Sequence, residues 1–215
     1  MSIQKLIRWS AVAAVLSGVL DAIAILMLPS AFRTNAVQSN LWTPAFTIGM
    51  FAFLLADLAI VGIHVRQSEA AGTLGLIGFV LAIFSSALFV GVFMIQGYVL
   101  PVLATQPNAL KTANELLGPT GPLAAFFPIF LLTLLLFNLG FILFSISIMR
   151  AGVLPRWAGL LLLIGTVLSN AQIFGPVGEI ISKLGAVGFD IGFVWLAYAL
   201  WVGRSEMSAP SKTTM

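Results

Sequence analysis

Long apolar runs alternate with short polar breaks along the chain, and six of them read as helices: about 9–28, 44–64, 73–96, 124–149, 157–174 and 184–202. A helix needs about 20 apolar residues to cross the hydrocarbon core of a bilayer. Inside lipid it also satisfies its own backbone groups. The pattern therefore predicts an all-α polytopic membrane helix bundle with six transmembrane helices, over residues 1–204. The first run follows Lys5 and Arg8 as the core of a signal peptide would. It is longer than the roughly 7–15 residues of such a core and has no small-residue cleavage pattern after it, so it reads as a retained helix. The stretch "SEMSAPSKTTM", 205–215, is polar and predicts a disordered tail.

Composition agrees with the pattern. The chain is 60% hydrophobic and 8% charged, where soluble domains run near a quarter charged. All ten Lys and Arg residues lie outside the runs. Lys5, Arg8, Arg66, Arg150, Arg156, Arg204 and Lys212 fall on one side, against Arg33, Lys111 and Lys183 on the other. By the positive-inside rule both termini are cytoplasmic, in a multi-pass protein of the inner (plasma) membrane. The net charge of +3 comes from these span ends and implies no nucleic acid. Trp9, Trp157 and Trp201 are expected at the inner interface, with Trp42 and Tyr98 at the outer one. The one long loop, 97–122, lies outside. Within it a short helix from Asn108 to Gly118 is expected, lying on the outer leaflet or acting as a lid.

Against this apolar background the polar residues stand out. Asp21, Asp57 and Asp190 lie inside runs, and with Asn138 they fall in one slab roughly 9 Å deep, counting about 1.5 Å per residue. Intramembrane acids are costly and are functional candidates. No cation shares their spans, so they are held neutral, share a bound cation or line a water-filled cavity. Against that stands helix glue, a neutral Asp bonded to a hydroxyl or a carbonyl. His64 lies seven residues after Asp57, and Lys183 seven before Asp190, as candidate relay or approach residues. Ser10, Ala14, Ser17, Gly18 and Asp21 form a small, polar stripe that should face protein. Gly185, Gly188 and Gly192 lie opposite Asp190, so the sixth helix should be central. "FNLGFILFS" (137–145) is echoed by "FDIGFVWLA" (189–197), and more loosely by "ADLAIVG" (56–62), which suggests a duplicated helical hairpin.

The stretch "SIMRAGVLPRWAGLLLLIG", 147–165, carries Ala151, Gly152, Val153, Leu154, Pro155, Arg156 and Gly159 in a turn pattern. It resembles the hairpin of an uncharacterised family of small bacterial multi-span membrane proteins. The resemblance implies a multi-helix fold and no known activity.

Several functions are excluded by what is missing. With no cysteine there is no disulfide, thiolate metal site or Cys nucleophile. One histidine cannot give paired-histidine haem, no cluster has metal-ligand spacing, and no mid-helix lysine could hold retinal. Two acids on different spans resemble intramembrane aspartyl proteases, but their Gly-x-Gly-Asp is absent, because Phe189 precedes Asp190. No cofactor and no enzyme activity is therefore expected. The sequence best fits a small-molecule or ion binding or transport protein with a protonatable site at Asp21, Asp57, Asn138 and Asp190, working as a homodimer or in a larger complex. The alternative is a non-catalytic accessory or assembly subunit of a larger membrane complex, which would use the Gly-rich helices (Gly75, Gly78; Gly185, Gly188, Gly192) to pack against its partners.

Overall fold

The computed structural model describes residues 2–105, 116 and 118–207. They form an all-α bundle: α1 (Ile3–Met27), α2 (Trp42–Met94), α3 (Phe127–Ala151), α4 (Arg156–Leu168) and α5 (Gly175–Met207). After Met94 the helix runs on through a π-helical turn, Ile95–Val99, and one more turn, Leu100–Leu103. Among the described residues four stretches, not six, are helices long and apolar enough to cross a membrane: Ile3–Met27, Trp42–Leu103, Ala124–Ala151 and Arg156–Gly203.

The difference from six lies in how two breaks are built. At Gly72 the backbone turns to φ 58°, ψ −162° without ending the helical run. Only glycine reaches that region without strain. The two limbs of α2 then fold back on each other. Ser86 Oγ donates to the Phe53 carbonyl at 3.2 Å, Thr43 Oγ1 donates to the Gly97 carbonyl at 2.9 Å, and His64 stacks on Phe79 with ring centroids 4.1 Å apart. The second break, between α4 and α5, holds a 3₁₀ turn, Ala171–Phe174, and Gly175 at φ 84°. α4 and α5 then run antiparallel. A Cβ on Gly165 would stand 2.6 Å from the Phe189 nitrogen, and one on Gly192 would stand 3.0 Å from the Ala158 carbonyl oxygen.

Both ends of the bundle can be identified from side chains. Arg8 lies over the Trp201 ring at 5.4 Å, and Arg66 approaches Gly203, so the termini and the Gly72 bend share one end. This end also holds the α3–α4 turn, where Gly152 caps α3 in the left-handed conformation at φ 66° and Pro155 precedes α4. At the other, distal end, Lys183 Nζ donates to the Leu28 carbonyl at 2.7 Å and Ser30 Oγ to Glu179 at 2.7 Å. Glu179 and Lys183 also pair at 3.5 Å. This clasp lets α5 begin at Gly175, well before the expected 184: its two charged residues are satisfied by each other and by the end of α1.

The core is built on small residues that let helices approach. Ser10, Ala14, Ser17 and Gly18 of α1 are buried, as their stripe predicted. Gly78 and Gly140 bring α2 and α3 into backbone contact, and α5 sits between α1 and α4. The main cluster joins Ile60, Phe141, Phe144, Leu162, Phe193 and Leu196, and a smaller one at the distal end joins Val37, Trp42, Phe46 and Leu100. Trp9, Trp157 and Trp201 are exposed near the terminal end, as a membrane-interface belt requires. Trp42 is not an interface residue. It is 1% exposed, and its indole N–H donates to the Gln96 carbonyl at 2.8 Å. Tyr98 is exposed, with its hydroxyl 2.8 Å from Thr47 Oγ1. The expected helix from Asn108 to Gly118 and most of the tail lie outside the described residues, although α5 reaches Met207, past the expected end at 202.

Candidate functional site

Asp21 and Asp190 are brought together. α1 and α5 cross where Gly18 leaves room for the other backbone: a Cβ there would stand 3.0 Å from both the Asp190 carbonyl oxygen and Val194 Cγ2. Asp21 lies one turn beyond Gly18 on the same face, which puts it at the same crossing as Asp190. Among the described residues no hydrogen bond or ion pair joins either carboxyl to a cation. Asp190 is 5% exposed and its Oδ2 has no hydrogen-bond partner. Asp190 is shut away from water, where a bare charge is costly, while Asp21 is half-buried and opens onto the cavity.

Asp21 lines a cavity of about 610 Å³ in the distal half of the bundle. That is within the usual range for a small-molecule site, about 300–1,000 Å³. Its walls are largely aromatic. Trp42, Phe46 and Phe53 come from the first limb of α2, Phe89 and Phe93 from the second, Phe130 and Phe137 from α3, and Phe189 from α5. The rings follow one another in series: Trp42–Phe46 at 5.0 Å, Phe46–Phe93 at 5.5 Å, Phe93–Phe53 at 5.1 Å, Phe53–Phe89 at 5.2 Å, Phe89–Phe137 at 5.2 Å and Phe137–Phe189 at 6.0 Å. Gln96, Ser169, Asn170 and Gln172 supply polar groups toward its distal side. A second, open groove of about 400 Å³ runs along the outside of the α1–α5 crossing, lined by Gly18, Asp190, Val194 and Tyr198 among others.

The sequence echo now has a physical meaning. Phe137 faces Phe189 at 6.0 Å and Phe141 faces Phe193 at 6.4 Å, so the two copies of the motif meet in register. α3 and α5 touch through these rings. The polar residue of each copy turns elsewhere: Asp190 to Asp21, and Asn138 to Asn170. The two asparagines exchange hydrogen bonds, Asn138 Nδ2 to Asn170 Oδ1 at 3.1 Å and Asn170 Nδ2 to Asn138 Oδ1 at 2.7 Å. Through Asn170 this amide pair borders the same cavity.

No family model, no curated protein and no solved structure matches this chain. The site must therefore be read from its own geometry.

The other expected residues stand apart from the pair. Asp57, on the first limb of α2, lies beside the Ser86 hydroxyl, with its Oδ1 buried and unpartnered, and it is not among the residues lining the cavity. His64 stacks on Phe79 with Nδ1 buried and unpartnered. Near the terminal end, Gln67 Nε2 donates to Ser147 Oγ at 3.3 Å, and Ser145 Oγ has no partner. Lys183 is engaged by Glu179 and Leu28 at the distal clasp, not by Asp190. Among the described residues, no group of three or more His, Cys, Asp or Glu could hold a metal ion. The aromatic walls are not marked by hydropathy, which weighs phenylalanine only as an apolar residue. Their signal was spacing: Phe46 and Phe53, Phe89 and Phe93, and Phe130 and Phe137 recur at four or seven residues, one stripe per helix.

Proposed function

We propose that this chain is an integral membrane protein that binds a small molecule in its distal cavity and moves it, with Asp21 and Asp190 as the site of proton or cation exchange. The observation that carries this reading is the 610 Å³ cavity lined by Asp21, with the buried Asp190 carboxyl at the same helix crossing and its Oδ2 without a partner. A structural role alone asks for neither a void this large nor two carboxyls without donors, because helix glue works by making hydrogen bonds.

In this reading each limb of α2, and α4 and α5 separately, crosses the bilayer, giving six crossings with α1 and α3. Both termini lie in the cytoplasm, because Lys5, Arg8, Arg66, Arg150 and Arg156 cluster at the terminal end. The cavity then opens in the outer half. Six short crossings are few for a transporter, and the protein works as a homodimer or in a larger membrane complex. An accessory subunit would offer its glycines to partners. Gly75, Gly78, Gly185 and Gly192 instead meet Ser147, Phe144, Leu168 and Ala158 of this chain, and of the five expected packing glycines only Gly188 has open space before it.

The test is proton uptake by proteoliposomes after an external acid step. Parent protein takes up protons, and Asp21→Asn and Asp190→Asn each abolish the uptake. If both variants match the parent across the pH range, the exchange site is refuted. Asp57→Asn, away from the pair, leaves the uptake in place.

A further inference from the structure

We propose that the cavity takes a lipophilic organic cation, an ammonium or phosphonium on an apolar body, with its charge against Asp21 and Asp190 and its body among the rings. This deepens the proposed function and rests on the reading of the cavity as a binding site.

The sign of the site comes first. Among the described residues lining the cavity Asp21 is the one ionisable side chain, and Asp190 stands on the groove side of the same crossing. The nearest charges of α5 toward the distal end, Glu179 and Lys183, are spent on each other and on Ser30 and Leu28. An anion would enter a cavity whose one lining charge among the described residues repels it. A neutral ligand could use the amides of Gln96, Asn170 and Gln172, but it would leave the acid pair uncompensated.

The walls decide which kind of cation. A hard metal ion needs about six to eight oxygen ligands, and here the Asp21 carboxyl opens onto walls that are largely aromatic. A soft organic cation is what aromatic rings attract, through the negative face of each ring. Trp42, Phe46, Phe53, Phe93, Phe137 and Phe189 present such rings around the cavity. Asp190 Oδ2, buried and without a partner, is the second independent sign of a missing positive group. Access fits the same class. The open groove on the outside of the α1–α5 crossing has Asp190 in its lining, so the acid pair stands between the cavity and the flank of the bundle. A lipophilic cation dissolved in a bilayer could reach the pair from that side.

The test uses two ions of one shape and opposite charge, tetraphenylphosphonium and tetraphenylborate. Each is dialysed to equilibrium against the purified full-length protein, with protein-free micelles as blank. The proposal expects saturable binding of the phosphonium at least tenfold tighter than that of the borate. Asp21→Asn should remove that preference, and Ala186→Trp, which fills the cavity beside the pair, should remove binding. The preference is read on the parent protein, so it stands even if Asp21→Asn fails to fold, and Asp190→Asn then serves as the second variant. If both ions bind equally, or the borate binds tighter, and Ala186→Trp abolishes both, the cation class is overturned while the binding cavity stands. If neither ion binds saturably, the proposal and the binding site fall together.

Discussion

Replacing Gly140 by alanine puts the close crossing of α2 and α3 under direct strain. A Cβ at this position would stand 2.6 Å from the Ala82 nitrogen, 2.8 Å from the Leu81 carbonyl carbon and 3.0 Å from Ala82 Cα. All three atoms are backbone, so no side chain can swing aside, and ordinary contact requires the helices to part by roughly 1 Å. Overpacking of this kind costs about 1–3 kcal/mol. Alanine returns up to about 1 kcal/mol in helix propensity, leaving a net loss of about 0–2 kcal/mol at the least and more where α3 cannot shift. For a chain of this size each kcal/mol moves the melting temperature by about 2–4 °C. Gly188→Ala is the control, because no atom lies within 4 Å of its Cβ position and only the propensity gain remains. Melting in detergent, followed by tryptophan fluorescence, should place Gly140→Ala about 4–8 °C below Gly188→Ala. Equal melting temperatures for the two variants would refute the close crossing.

Three further outcomes follow from other contacts. Gly72→Ala meets nothing within 4 Å but must hold φ 58°, ψ −162°; it should lower stability by about 1–3 kcal/mol through the backbone alone, and an unchanged melting curve would mean that the bend lies elsewhere. Lys183→Met removes both the ion pair with Glu179 and the bond to Leu28; it should cost about 1–3 kcal/mol and loosen the distal end, read as faster proteolysis near Ser30. Asn138→Ala should cost about 0.5–2 kcal/mol, and adding Asn170→Ala should cost less than the sum of the two single changes, since each amide loses the same partner; strict additivity would argue against the pair.

The helical class was legible because hydropathy and spacing report it directly. The small residues of the α1 stripe faced protein as expected, but α5 is not central: it packs on α1 and α4 and leaves Leu184, Ile191, Trp195 and Tyr198 exposed. The breaks were harder to read. Gly72 bends a continuous helix with a single residue, which leaves almost no polar gap in the sequence, and the Glu179–Lys183 pair looks like a loop until its partners on α1 are known. Trp42 reads as an interface residue by position and is buried by its bond to Gln96. The convergence of Asp21 with Asp190, and the separation of Asp57 from both, depends on which helices are neighbours, and no periodicity within one helix carries that. The cavity is also a tertiary property: rings at every fourth or seventh position fill a core or wall a void, depending on how far apart α3 and α5 are held.

The facing of Asp21 and Asp190 is the claim on which the site depends, and cross-linking tests it most directly. The chain has no cysteine, so Asp21→Cys combined with Asp190→Cys leaves two reporters only. In native membranes a short bis-methanethiosulfonate reagent should bridge them within one chain, giving a gel shift that reductant reverses, while Asp57→Cys combined with Asp190→Cys stays unbridged. No bridge in the first pair when the protein elutes as a single species, or equal bridging in both pairs, would contradict the account.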